Sequence, residues 1–322
     1  MDDALPDETA ENSTLVDATP EVEVREHVVP EGTPQDRLDR YAFRVFELVF
    51  SRKDARRLIR KERIFLNGEL ANPSRFIRPG DVIRVIGGLR RPPRGFECPM
   101  RVVYEDDWLA VIVKPPGLHV NGNRHRTVEH ALPHNLTPSD REDRLPWPRP
   151  CHRLDLRTGG LLVCAKTAEA LRQLGWQFER REVHKRYHAI LLGRLEGEGA
   201  LDKPVGGRSA RTRYRVLQHT RSLHTEWLTS VEMWPETGRQ HQLRKHMSGL
   251  GHPIIGDDLY GTGKGPVLRG QGLFLRAVQL EVRHPEDDRP MCWELEEPDK
   301  FRRFRERETR RWNRWHAEQS LS

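Results

Sequence analysis

Residues 151–167 read Cys-His-Arg-Leu-Asp-Leu-Arg-Thr-Gly-Gly-Leu-Leu-Val-Cys-Ala-Lys-Thr. The second half, Leu161 to Ala165, is an apolar run of strand length and predicts a buried strand. Thr158-Gly159-Gly160 marks the turn before it. The polar first half is therefore a loop delivered to the end of a core strand, a common position for binding and catalytic groups. Asp155 is the only acid between Asp143 and Glu169, and arginines at 149, 153 and 157 surround it. A carboxylate among cations stays ionised and can act as nucleophile or base. An Asp–Arg pair that only fixes a turn accounts for the same residues.

Working outward, composition sets bounds. The chain has 322 residues, 36% of them apolar, which predicts two domains with tails. No stretch of 18 apolar residues exists, so no membrane span is expected. The N-terminus is acidic and shows no secretory segment. Cysteines 98, 151, 164 and 292 lie far apart, with neither zinc spacing nor a disulfide framework, and a reducing cytoplasm is the expected compartment. The net charge is +7, but residues 1–31 hold ten acids and one arginine, leaving +16 on the remainder. Such a basic globular part predicts a polyanionic partner.

Residues 1–32 carry no aromatic residue and no periodicity, and are expected to be a disordered acidic tail. From Pro34, the residues Leu38, Tyr41, Ala42, Val45, Leu48 and Val49 form a helical stripe. Ser51 with Asp54 can cap a second helix that buries Ala55, Leu58 and Ile59. Its other face carries Arg52, Lys53, Arg56, Arg57, Arg60 and Lys61, a concentration of charge suited to phosphate. A strand at 63–66, the turn Asn67-Gly68, the turn Pro79-Gly80 and a strand at 82–86 follow. This order of helices and turns resembles the S-four RNA-binding domain, which implies a small α/β module over 33–90. Gly87 to Pro99 is rich in Gly, Pro and Arg and reads as a linker, assigned to 91–100, and the stretch's Arg90, Arg91 and Arg94 keep it soluble or follow a backbone.

The stretch 101–117 predicts strand, acidic turn, buried strand and a Lys114-Pro-Pro-Gly117 stop. Histidines at 125, 130 and 134 do not make a metal site, because Pro133 interrupts the spacing and no third ligand is evident. Thr167 can cap a helix burying Leu171, Leu174 and Phe178, and an apolar strand begins at Tyr187. Arg211 to Val216 alternates like a strand with one cationic face. Further on stand Thr237-Gly-Arg-Gln-His-Gln-Leu-Arg244 and Gly251-His-Pro-Ile-Ile-Gly-Asp-Asp-Leu-Tyr-Gly261. A helix starting near Arg239 would put His241 and Arg244 on one face. Gly261 to Lys264 fails the phosphate-loop pattern at both ends. A strand is expected at 273–282, and 299–322 is a basic extension.

His152-Arg153-Leu154-Asp155-x-x-Thr158-x-Gly160 resembles the active-site motif of the RluA family of pseudouridine synthases, with Gly159 where that pattern has Ser. Lys185-Arg186-Tyr187 and the two glycine-bearing stretches resemble further motifs of that family, in the right order. The resemblance implies an α+β fold over 101–298, a mixed β-sheet flanked by helices. It implies an isomerase that breaks the bond between ribose and the uracil ring nitrogen, turns the base and rejoins it through a ring carbon, with no cofactor and no metal. Asp155 would be the nucleophile, Arg244 its ion-pair partner and Tyr187 the ring against the uracil. Arg153 would fill the space left by the flipped base, and Lys185, His241 and Leu243 would stand at the substrate. Asp257 and Tyr260 would fix a loop. RNA is then the partner, with large-subunit ribosomal RNA favoured over tRNA by the separate RNA module, and a monomer is expected. A catalytically inactive RNA-binding protein and a glycosidase are the other classes. The intact Asp155, Tyr187 and Arg244 speak against the first, and the lack of a second opposed carboxylate against the other.

Overall fold

The structure is a computed structural model, and it describes residues 22–46, 49, 52–88, 95–122, 124–261 and 272–320. The expected cap Ser51, the stripe residue Leu48, the linker arginines 90, 91 and 94, and residues 262–264 lie outside these. The chain divides into two units, Met1–Arg91 and Pro92–Ser322.

In the first unit the elements are β1 (Val22–Val28), β2 (Asp36–Arg37), α1 (Leu38–Val45), α2 (Arg52–Arg60), β3 (Ile64–Leu66), β4 (Glu69–Leu70), β5 (Phe76–Ile77) and β6 (Val82–Gly88). The sheet order is β1-β6-β3-β4, with β2 and β5 paired separately. Asn67 and Gly68 both have positive φ, which closes the tight β3–β4 hairpin. The helices bury Leu38, Ala42, Ala55, Leu58 and Ile59 against Ile64, Ile83 and Val85. β1 corrects the expected extent of the tail. Residues 22–28 pair antiparallel with the whole of β6, from Val22 opposite Gly88 to Val28 opposite Val82. They are held by backbone hydrogen bonds, while Val24 and Val28 stay exposed.

In the second unit the elements are β7 (Arg101–Glu105), β8 (Leu109–Lys114), α3 (Val128–Ala131), β9 (Arg144–Pro150), β10 (Gly159–Thr167), α4 (Ala168–Arg180), β11 (His184–Leu192), β12 (Glu198–Asp202), β13 (Arg211–Ser222), β14 (Glu226–Pro235), α5 (Gln242–Gly249), β15 (Leu275–Arg283), β16 (Pro290–Glu294) and α6 (Asp299–Gln319). They form one mixed sheet in the order β12-β13-β14-β11-β15-β10-β8-β7, with β9 on β10 and β16 on β15. β10 lies between β8 and β15 and all nine of its residues are buried. That is why its sequence is a continuous apolar run rather than an alternation. Its pairing with β15 is parallel and only two residues long, Gly159 opposite Arg276 and Gly160 opposite Ala277. At Gly160, φ is +121° and a Cβ would lie 2.1 Å from the Ala277 carbonyl oxygen, so only glycine allows this junction.

The Thr167 hydroxyl accepts a hydrogen bond from the Ala170 amide and caps α4. Along β13, Arg211, Arg213 and Arg215 are exposed and Thr212 is buried, the alternation of a half-buried strand. The basic C-terminal extension is not a free tail. It is α6, whose Phe301 and Phe304 join the main core beside Phe274 and whose buried Glu308 accepts a hydrogen bond from Ser222 Oγ. Among the described residues no helix is long and apolar enough to cross a membrane.

Candidate active site

The loop carrying Asp155 is tied down from both ends. Before it, the Cys151 amide donates to the Val163 carbonyl and the Val163 amide donates to His152 Nε2. Behind it, Lys114 at the end of β8 is fully buried, and its Nζ donates to the carbonyls of Pro115 (3.0 Å), Leu156 (3.2 Å) and Thr158 (2.8 Å). The Thr158 amide donates to the Asp155 carbonyl and closes a turn. Burial pulls the Lys114 ammonium down to about 8, against the opposing pull of the Asp155 charge.

The Asp155 side chain is 18% exposed. It borders a cleft of about 620 Å³ whose walls come from four stretches: the loop 151–158, the end of α4 with the start of β11, the turn after β14, and Leu275. Among the residues expected at the site, Arg153, Lys185, Tyr187 and Leu243 all line it. Tyr187 is buried, and its phenol is raised well above its ordinary range, first by burial and then by the Asp155 charge, so it stays protonated. Phe178, expected in the core, turns to the cleft and stacks on His152 at 4.8 Å, with the Lys185 ammonium 5.7 Å over its ring. Burial lowers Lys185, and burial and then Lys185 lower His152 to about 3, so that imidazole is neutral.

His241 and Arg244 depart from their expected places. α5 begins at Gln242, and His241 precedes it with φ +57°, outside the helix. The cause is Gln242, a residue of the motif that is buried and holds the turn with its side chain. Its Oε1 accepts from Thr237 Oγ1 and the Arg239 amide, and its Nε2 donates to the Arg211 carbonyl and Thr212 Oγ1. These bonds wind 237–242 into a turn and aim the His241 ring at Asp155, with Nε2 to Oδ1 at 3.8 Å. The Nδ1 atom lies 2.9 Å from the Tyr260 hydroxyl. The neutral tautomer that serves both neighbours accepts Tyr260 at Nδ1 and carries its proton on Nε2, facing the carboxylate. Burial lowers the His241 pKa, opposed by Asp155.

Arg244 does not hydrogen-bond Asp155. Its Nε and Nη2 form a bidentate pair with Asp257, 2.8 and 2.7 Å, and both side chains are buried. Its charge still acts with that of Asp155 across the wall. Asp257 also accepts from the amides of Leu259 and Tyr260. It therefore locks Arg244 and the loop together, and its carboxyl, pushed up by burial, is held below its usual range by Arg244 and these amides. Among the described residues no group of three or more His, Cys, Asp or Glu side chains converges as a metal site.

The five cations on α2 and Lys61 just after it are all exposed, but they differ in what they hold. Arg56, with Arg37, binds the fully buried Asp39, and Arg57 binds Asp54 at 2.9 Å. Arg52, Lys53, Arg60 and Lys61 form no ion pair among the described residues.

Residues 108–249 match the family model described as RNA pseudouridylate synthase, and residues 36–83 match the S4 domain. The chain is 34% identical to the ribosomal large subunit pseudouridine synthase D of Nitrosomonas europaea, over 92% of this chain and 90% of that one. It is 32% identical to the protein of the same name from Yersinia pestis, over 84% and 90%. Among solved structures, human RNA pseudouridylate synthase domain containing 1 matches 63% of this chain and 84% of its own, with 28% identity and a TM-score of 0.51. The fold and cleft therefore define an RNA-modifying isomerase with a separate RNA-binding module. The chain belongs to the RNA pseudouridylate synthase family and carries an N-terminal S4 domain.

Proposed function

We propose that the chain converts specific uridines of large-subunit ribosomal RNA to pseudouridine, with Asp155 as the nucleophile. The observation that carries this is the partly exposed Asp155 carboxylate at the wall of the cleft that the buried Tyr187 ring also lines. The relatives named for the ribosomal large subunit match this chain across both modules, which favours that RNA.

A uridine must leave its stack to reach the carboxylate. Tyr187 and Leu243 receive the uracil, Lys185 stands beside it, and the exposed Arg153 occupies the space left behind. Asp155 then assists cleavage of the ribose–nitrogen bond, and the turned base rejoins through carbon. His241 presents a proton toward the Asp155 carboxylate, and Arg244, locked by Asp257, adds fixed positive charge behind the wall. Arg52, Lys53, Arg60 and Lys61, on α2 and just after it, face the RNA backbone, beside Arg56 and Arg57, which hold Asp39 and Asp54. The chain acts as a monomer in the cytoplasm, in line with its four free cysteines.

Mapping pseudouridine in RNA from cells with and without the gene tests this. One or a few positions in large-subunit ribosomal RNA should lose the modification. Loss confined to tRNA would overturn the substrate assignment.

A further inference from the structure

α6 sorts seven of its eight Lys and Arg side chains, all but Arg314, into two sets. Arg302 is held by Asp299, Arg305 by Glu297 and Arg311 by Glu308, each within hydrogen-bond distance. Lys300, Arg303, Arg307 and Arg310 instead line a groove of about 380 Å³, floored by Phe274 and Phe304, with Glu306 the single acid among the described lining residues. Arg303 stands 3.9 Å from Asp299 and Arg307 stands 3.7 Å from Glu308, and each of those acids already serves another arginine at closer range. Arg310 has no carboxylate partner among the described residues. The groove positions recur at intervals of three and four, so like charges stack along one side of the helix, which costs stability unless an anion lies beside them. The rings steady the cations. Lys300 Nζ is 3.9 Å from the Phe274 centroid and the Arg307 guanidinium is 5.0 Å from that of Phe304.

We propose that this groove binds the phosphodiester backbone of the substrate RNA, away from the catalytic cleft. Ten residues of helix span about 15 Å, room for several consecutive phosphates. The two sites share no lining residue among the described residues, so the groove contributes binding and leaves the chemistry alone. This rests on the reading of RNA as substrate.

The test uses the full chain and the ribosomal RNA fragment on which the wild type forms pseudouridine. Arg303→Gln/Arg310→Gln is compared with Arg302→Gln/Arg311→Gln, which removes equal charge from the neutralised flank. The groove variant should lose on the order of ten-fold in affinity, and its log–log salt slope should flatten by roughly 0.7 to 0.9 for each phosphate it no longer neutralises. Its KM should rise while kcat stays within about two-fold. The control should match the wild type in affinity, salt slope and KM, with a somewhat lower melting temperature because buried Glu308 loses Arg311, and the groove variant should melt normally. Equal losses in the two variants would reveal a diffuse positive field, and no loss in either would leave the groove facing water. Either result overturns the proposal. A wild type that forms no pseudouridine on any RNA would strike the underlying function instead.

Discussion

Asp155 takes its electrostatic surroundings from residues far away in the chain. Its charge is felt by Lys114, Tyr187, His241 and Arg244. The motifs place Asp155 and Tyr187 beside one cleft: Asp155 lies on the loop that enters β10 and Tyr187 in the first half of β11. The resemblance pairs Arg244 with Asp155, whereas the structure pairs it with Asp257, a carboxylate 13 residues on in a loop. Arg244→Ala would leave Asp257 buried and unpaired, and should cost about 3–5 kcal/mol in chemical denaturation. The double variant Arg244→Ala/Asp257→Ala should recover much of that stability without recovering turnover. Full recovery of both would reduce Arg244 to a structural strut. Lys114 is legible only as part of a strand stop, since carbonyl partners 42 and 44 residues away leave no mark in sequence. Its ordinary pKa of 10.5 falls to about 8 on folding. Between those values the unfolded chain holds more protons than the folded one, so stability rises with pH across that window. Lys300, also lowered to about 8, adds to the rise. Lys114→Met should shrink the slope, measured by denaturation at a series of pH values. An unchanged slope would mean that the buried lysine is not the titrating group.

Among the elements, the strand at 159–167 and the helix α2 are readable because each has one dominant signal, an apolar run in the first and an apolar stripe under a cationic face in the second. β1 is not. Its side chains are mostly solvent-facing, and an edge strand held through its backbone carries the composition of a tail. α6 reads as a tail for the opposite reason, since its many charges mask Phe301 and Phe304. In α2 the structure separates cations that hold the module together from those free to meet phosphate. Replacing Arg52, Lys53, Arg60 and Lys61 by Gln should leave the melting temperature unchanged and flatten the salt dependence of RNA binding by roughly 0.7 to 0.9 for each phosphate no longer neutralised. Arg56→Ala should instead destabilise the module by about 1–3 kcal/mol, because buried Asp39 loses a partner. A quartet variant that binds RNA with the wild-type slope would mean that this face of α2 meets water.

At the scale of the whole molecule, the excess positive charge outside the acidic N-terminus, the S4 domain and the synthase domain agree on RNA. Family membership is legible because motifs spread over more than a hundred residues keep their order. Their convergence depends on buried polar groups, chiefly Lys114, Gln242 and Asp257, which stand within the motifs but whose distant partners no local pattern announces. The most direct measurement is pseudouridine formation and RNA affinity by purified Asp155→Asn, measured side by side with the wild type. The amide keeps the size of the carboxylate and loses its charge, so RNA affinity should hold while turnover falls by on the order of a thousand-fold or more. Near-normal product from Asp155→Asn would contradict the assignment of Asp155 as the nucleophile.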